Sequence, residues 1–148
     1  MTDSEALQEA LLRAVQKKGV DAIRAVLLSL GADAEDSMPC LTIIGNAGMH
    51  AIPANFVHGE LYNVTQGTLD LSKAQSISEF YISVLRPLAD KLRERPWKRI
   101  YFVPTGPTTL ALQIKLLVYN ITRISTVDLF YSKGDYYEIN LDYRSYLT

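Results

Sequence analysis

A chain of 148 residues with 48% hydrophobic composition is the size of one domain and can build a core without disulfide or metal staples. Its formal net charge of -1 excludes a nonspecific duplex-DNA binder, which needs a basic face, yet leaves room for a small anionic ligand held by backbone donors. The single cysteine, Cys40, excludes an intramolecular disulfide and leaves no zinc pattern. No segment reaches the ~20 apolar residues of a membrane span, and the acidic start Met1-Thr2-Asp3-Ser4-Glu5 lacks an apolar signal core, so the expectation is a cytoplasmic protein.

Asp3 or Ser4 can cap a first helix, in which Leu7, Ala10, Leu11 and Val15 recur at helical spacing. Lys17-Lys18-Gly19 ends it, because cations suit a helix C-terminus and glycine suits the residue beyond. Residues 21–30, with Ile23, Val26, Leu27 and Leu30, predict a second short helix, and residues 31–37 a polar linker. Residues 1–37 therefore read as an N-terminal helical extension and residues 38–148 as the main domain.

The run Leu41-Thr42-Ile43-Ile44 is apolar almost throughout, as a strand covered on both faces must be, and Cys40 at its start reads as a buried, inert thiol. Residues 45–60 predict a loop, and residues 61–71 a strand broken by a turn at Gln66-Gly67. Ser76 and Glu79 form the S-x-x-E capping box of an amphipathic helix with a stripe through Ile77, Tyr81, Leu85, Leu88 and Leu92. Pro87 removes one hydrogen bond inside that helix and predicts a kink, and Pro96 stops it. Ile100-Tyr101-Phe102-Val103 is a central strand. Pro107 fits the first position of a helix that runs to about Asn120 and is apolar on most sides. Val127 to Tyr131 is a further strand, Ser132-Lys133-Gly134-Asp135 a turn, and Tyr136 to Leu141 a half-exposed hairpin strand. This alternation implies an α/β fold: a Rossmann-like open, mostly parallel sheet with a C-terminal antiparallel hairpin.

In such sheets ligands bind beyond the carboxyl ends of the strands, which selects two loops. The stretch Pro104-Thr105-Gly106-Pro107-Thr108-Thr109 leads from a strand into a helix N-terminus, where free N–H groups and the hydroxyls of Thr105, Thr108 and Thr109 can meet a phosphate and Gly106 admits it to the backbone. Gly45-Asn46-Ala47-Gly48 lies after the first strand and should share that edge. Neither stretch ends in the Gly-Lys-Ser/Thr of a Walker loop. The ligand-binding candidates are thus Gly45, Asn46, Gly48, Thr105, Gly106, Thr108 and Thr109. His50 and His58 are the histidines. Without a partner pattern they do not make a metal site, and no catalytic residue is assigned, His50 being the candidate general acid or base. No cofactor is expected. The tyrosines Tyr131, Tyr136, Tyr137, Tyr143 and Tyr146 could stack on bases, but aromatics also favour strands and interfaces, and that reading is preferred.

The segment Lys98 to Pro107, the Ala/Leu-rich helix after it, Val127-Asp128-Leu129-Phe130-Tyr131 and the Tyr-rich last strand together resemble the CARF and SAVED ligand-sensing domains of prokaryotic antiviral systems, CRISPR type III and CBASS, over about residues 39–147. The resemblance implies a sensor of a cyclic oligonucleotide second messenger in antiviral defence, with residues 45–48 and 105–109 at the ligand. It also implies a homodimer, with the ligand across the two-fold axis. No nuclease, protease, TIR or membrane effector is attached here, so output through a partner protein is the reading it favours. Two alternatives stand beside it: a metal-independent ring nuclease that degrades cyclic oligoadenylate, and a non-enzymatic docking subunit. Neither membrane nor duplex DNA is an expected partner.

Overall fold

The computed structural model describes residues 3–19, 38–73, 76–141 and 143–147. The chain divides into two units, residues 1–37 and 38–148. In the first, helix α1 spans Asp3–Lys18 and closes with Gly19 at φ 81°, whose N–H bonds the carbonyl of Val15 at 3.0 Å. Glycine adopts that left-handed turn without steric cost, as the Lys-Lys-Gly ending predicts. The predicted second helix and the linker at residues 31–37 lie outside the described residues.

The second unit holds β1 (Cys40–Ala47), β2 (Glu60–Gln66), helix α2 (Ile77–Arg93), β3 (Arg99–Val103), helix α3 (Thr108–Thr122), β4 (Val127–Ser132) and β5 (Asp135–Ile139). They form one five-stranded sheet in the order β2-β1-β3-β4-β5. The first three neighbouring pairs are parallel and β4–β5 is antiparallel. This is the open, mostly parallel α/β sheet with a terminal hairpin that the alternation of elements predicts. Lys133 and Gly134 turn the hairpin at φ 51° and 87°, the left-handed pair that suits the twist of the two strands.

Both crossovers, through α2 and through α3, run the same way across the sheet and place their helices on one face. There Leu41, Ile43, Ile100 and Phe102 pack against Leu88, Leu92, Leu110, Ile114 and Val118, all essentially without solvent exposure. The β1-to-β2 connection runs the other way and covers the opposite face. Its residues Ile52 and Phe56 close over Ile44, Val103 and Leu129, with Tyr136 of β5 alongside. Strand alternation sorts the residues of each strand between the two faces.

Several boundaries differ from expectation, the last strand ending at Ile139 and not at Leu141 among them. β1 continues through Gly45 and Asn46 to Ala47, where a loop is predicted, because β2 pairs with it as far as Ala47–Gln66. After the turn at Gly67, residues 68–70 are irregular and Leu71–Lys73 is a 3-10 turn, so the predicted second half of that strand does not form. Pro107 is the cap of α3 and Thr108 its first residue, one position later than predicted. Helix α2 runs unbroken through Pro87, which lies on the exposed side where water can take the freed carbonyl. Ser76 caps it, its hydroxyl accepting the Glu79 N–H at 3.0 Å. Cys40 is half-buried.

Candidate functional site

β1 sends its chain to one side and β3 to the other, so a crevice opens beyond their carboxyl ends. A cleft of about 750 Å³ lies there. One wall is Met49, His50, Ala51 and Ile52, from the connection after β1. Val103, Pro104 and Thr105 line its base, and Leu129, Tyr131 and Tyr136 of the hairpin form the other wall. The two walls touch: the Tyr136 hydroxyl donates to the Ala51 carbonyl at 3.4 Å, and the rings of Phe56 and Tyr136 stand 5.6 Å apart. Tyr131 meets Tyr136 at 5.1 Å and remains 59% exposed, so a flat aromatic face is open to the cleft.

The seven ligand candidates from the sequence fall into different roles. Gly45, Asn46, Thr105 and Gly106 are brought together, and they are bound to each other. The Thr105 hydroxyl accepts the Asn46 N–H at 2.9 Å and donates to the Asn46 carbonyl at 2.7 Å. The Asn46 amide donates to the Gly67 carbonyl at 2.9 Å, and its oxygen accepts from Thr65 at 3.1 Å. A Cβ on Gly45 would stand 2.4 Å from the Thr105 carbonyl oxygen, and one on Gly106, at φ 91°, 2.9 Å from the Cβ of Asn46. These glycines allow the strand tip and the β3–α3 turn to touch. Gly48 is exposed and stands beside the Gln66–Gly67 turn. The Thr109 hydroxyl is paired with that of Tyr81 at 2.6 Å. Thr108 is exposed in the first turn of α3, which no side chain caps. Of the seven, only Thr105 lines the cleft.

His50, the candidate acid or base, does line it. His58 lies elsewhere on the same face of the sheet. Its Nε2 is 2.5 Å from Glu138 Oε1, its ring lies 4.1 Å from that of Tyr101, and its backbone is held on both sides by the Thr42 hydroxyl. Tyr131 and Tyr136, which the sequence assigns to strand and interface in preference to base stacking, line the cleft. Their signal was the Tyr-rich hairpin itself, whose alternation sends position 131 and its partner 136 to the cleft side.

Among the described residues, the largest charge cluster lies away from the cleft. Lys91 of α2 donates to Glu60 at 2.7 Å and to Glu94 at 2.9 Å, and Arg95 reaches Glu60 at 3.0 Å. The Lys91 hydrogen bond holds the Glu60 carboxyl below its ordinary range, and Glu60 and then Glu94 hold the Lys91 ammonium above its own. Among the described residues no three His, Cys, Asp or Glu side chains converge to hold a metal ion. Among them, too, no helix is long and apolar enough to cross a membrane.

No described family, curated protein or solved structure matches this chain. The site therefore rests on its own geometry.

Proposed function

We propose that the unit of residues 38–148 binds a phosphodiester ligand, a cyclic oligonucleotide second messenger of antiviral defence, in the cleft at the carboxyl edge of its sheet. The observation that carries this reading is the aromatic cleft itself. At about 750 Å³ it has the size of a small-molecule site, and it lies where open α/β sheets hold their ligands. Tyr131 and His50 offer π faces on which a base can stack, a recognition mode that tolerates every base. Three residues beyond Thr105, α3 begins without a side-chain cap, and its first N–H groups and partial positive charge suit a phosphate. The signal then passes to a partner protein that the ligand-bound surface recruits.

His50 in the cleft wall favours a second reading, a ring nuclease in which the substrate's 2′-hydroxyl attacks the adjacent phosphorus and gives up its proton to water, the P–O5′ bond breaks to leave a 2′,3′-cyclic phosphate, and His50 protonates the leaving 5′ oxygen. One experiment separates them. The protein is incubated with a panel of cyclic di-, tri-, tetra- and hexanucleotides, with and without EDTA, and read by thermal shift and by chromatography of the nucleotide. A stabilising shift without turnover is the expected result, and Tyr131→Ala should weaken that ligand roughly 5- to 150-fold, the worth of one stacked base. A cleaved product that survives EDTA and is lost in His50→Ala would favour the nuclease. Silence across the panel would overturn both and leave a docking subunit.

A further inference from the structure

The cleft offers faces on which a base can lie and little that answers a phosphate. Among the described residues no lysine or arginine lines it, and the Thr105 hydroxyl is committed to Asn46. A phosphodiester anion against an apolar wall is costly unless a cation or an N–H group meets it. The first turn of α3 supplies N–H groups on the β3 side. On the β4 side the group in position is Lys133. β3 and β4 are parallel neighbours, so the turn after β4 arrives at the same edge of the sheet as the turn after β3. Lys133 opens that turn, two residues beyond Tyr131 of the cleft wall. It is exposed, and among the described residues no carboxylate forms an ion pair with it, Asp135 at the far end of the turn included.

The backbone adds a second observation. Lys133, at φ 51°, holds the first place of a left-handed pair with Gly134. Such hairpin turns favour Asn-Gly, because asparagine enters the left-handed region with less steric penalty than a long side chain does. Lysine is therefore a destabilising choice at this position. Arg123, the other described non-glycine residue in that region, closes α3, where helix ends commonly adopt it. A strained residue that carries an unpaired charge beside a cleft is accounted for by work at the cleft. We infer that the Lys133 ammonium holds a phosphate of a ligand whose base lies on Tyr131, and that it is a specificity-determining residue of the cleft. This rests on the reading of the cleft as a nucleotide site. The first turn of α3 and Lys133 then flank the aromatic face, so the favoured ligand is a nucleotide with a phosphate on each side of its base, as within an oligonucleotide ring. A compact cation on a flexible stem suits such a contact, since it can follow the phosphates of rings of different size.

The test is calorimetric titration of the full chain with cyclic di-, tri- and tetraadenylate at about 50 and about 500 mM salt, beside thermal melting of each variant. The wild type should bind at least one of these rings, and more weakly at high salt. Lys133→Gln should weaken that ring about 3- to 10-fold at low salt and much less at high salt, so its salt dependence is shallower. Lys133→Arg keeps the charge and should stay within about 3-fold of the wild type. Tyr131→Ala should lose affinity at both salt concentrations, because stacking is not screened. Lys133→Asn should bind as weakly as Lys133→Gln while melting about 2–4 °C above the wild type, a loss of binding that no damage to the fold can explain. A wild type that binds none of the three rings overturns the reading of the cleft and this inference with it. A wild type that binds, with Lys133→Gln equal to it in affinity and salt dependence, overturns the inference alone. So does a Lys133→Asn protein that melts below the wild type, since lysine would then serve the turn itself.

Discussion

Removing one hydroxyl at the carboxyl edge separates a structural role from a ligand-binding one. β3 makes its last register pair with β1 at Ile44–Val103, and the next residue, Pro104, has no N–H with which to continue the ladder. The side chain of Thr105 takes over. Its hydroxyl accepts from and donates to the backbone of Asn46 at 2.9 and 2.7 Å, extending the β1–β3 contact past the proline. Asn46 is 7% exposed, so in Thr105→Val its N–H and carbonyl lose their partner in a place that water reaches poorly. Each orphaned buried group costs about 1–3 kcal/mol, and Thr105 is only half-buried, so partial hydration lowers the sum to about 2–3 kcal/mol. With an unfolding slope of about 1–3 kcal/mol per molar urea, the midpoint should fall by roughly 0.7–3 M. Thr105→Ser keeps the hydroxyl and should remain within about 1 kcal/mol of wild type. The assay is equilibrium urea unfolding of the three proteins by circular dichroism. A Thr105→Val protein within about 0.5 kcal/mol of wild type would refute the reasoning and return this hydroxyl to the list of groups free for a ligand.

Gly45→Ala should destabilise the same junction by about 1–3 kcal/mol in the same assay, since its Cβ would stand 2.4 Å from a backbone oxygen that cannot rotate away. An unchanged midpoint would mean that the β3–α3 turn yields freely. The Glu60 carboxyl, held low by the Lys91 hydrogen bond, contributes stability that is present above its unfolded value of about 4.5 and is lost as pH falls through its folded value. Acidification from pH 5 to pH 3 should therefore lower the urea midpoint of the wild type more than that of Glu60→Gln, and parallel profiles would refute it.

Much of the fold was legible because burial and periodicity carry it. Leu41, Ile43, Ile100 and Phe102 announce strands covered on both faces, Ser76 and Glu79 announce the start of α2, and Lys133-Gly134 announces the hairpin. The boundaries that shifted did so through long-range partners. Nothing local says that Gly45 and Asn46 remain in β1; β2 and the Thr105 hydroxyl hold them there from 20 and 59 residues away. The candidate site was legible as an edge of the sheet and not as a set of groups. The strand–turn–helix motif located the edge of the sheet correctly. Yet a threonine whose hydroxyl meets a ligand and one whose hydroxyl replaces a missing ladder bond have the same local sequence. Tyr131 and Tyr136 were visible as tyrosines, but only the pairing of β4 with β5 turns them toward the cleft.

That division of labour bears on how the edge could work. The polar atoms of Asn46 and Thr105 are committed to one another, which fixes the ends of β1 and β3 at a set distance. A strand tip fixed in this way does not have to be ordered by a ligand, and ordering costs of about 0.5–1.5 kcal/mol per side chain are avoided when one binds. What remains open beside the fixed frame is aromatic and backbone: the faces of Tyr131 and His50, and the first turn of α3. Stacking and backbone N–H groups read the shape and charge of a nucleotide more than its sequence. If the cleft holds a nucleotide, the identity of the base would have to be set by the exposed residues Met49 and His50 of the connection after β1, because Ile52 is committed to the core beneath.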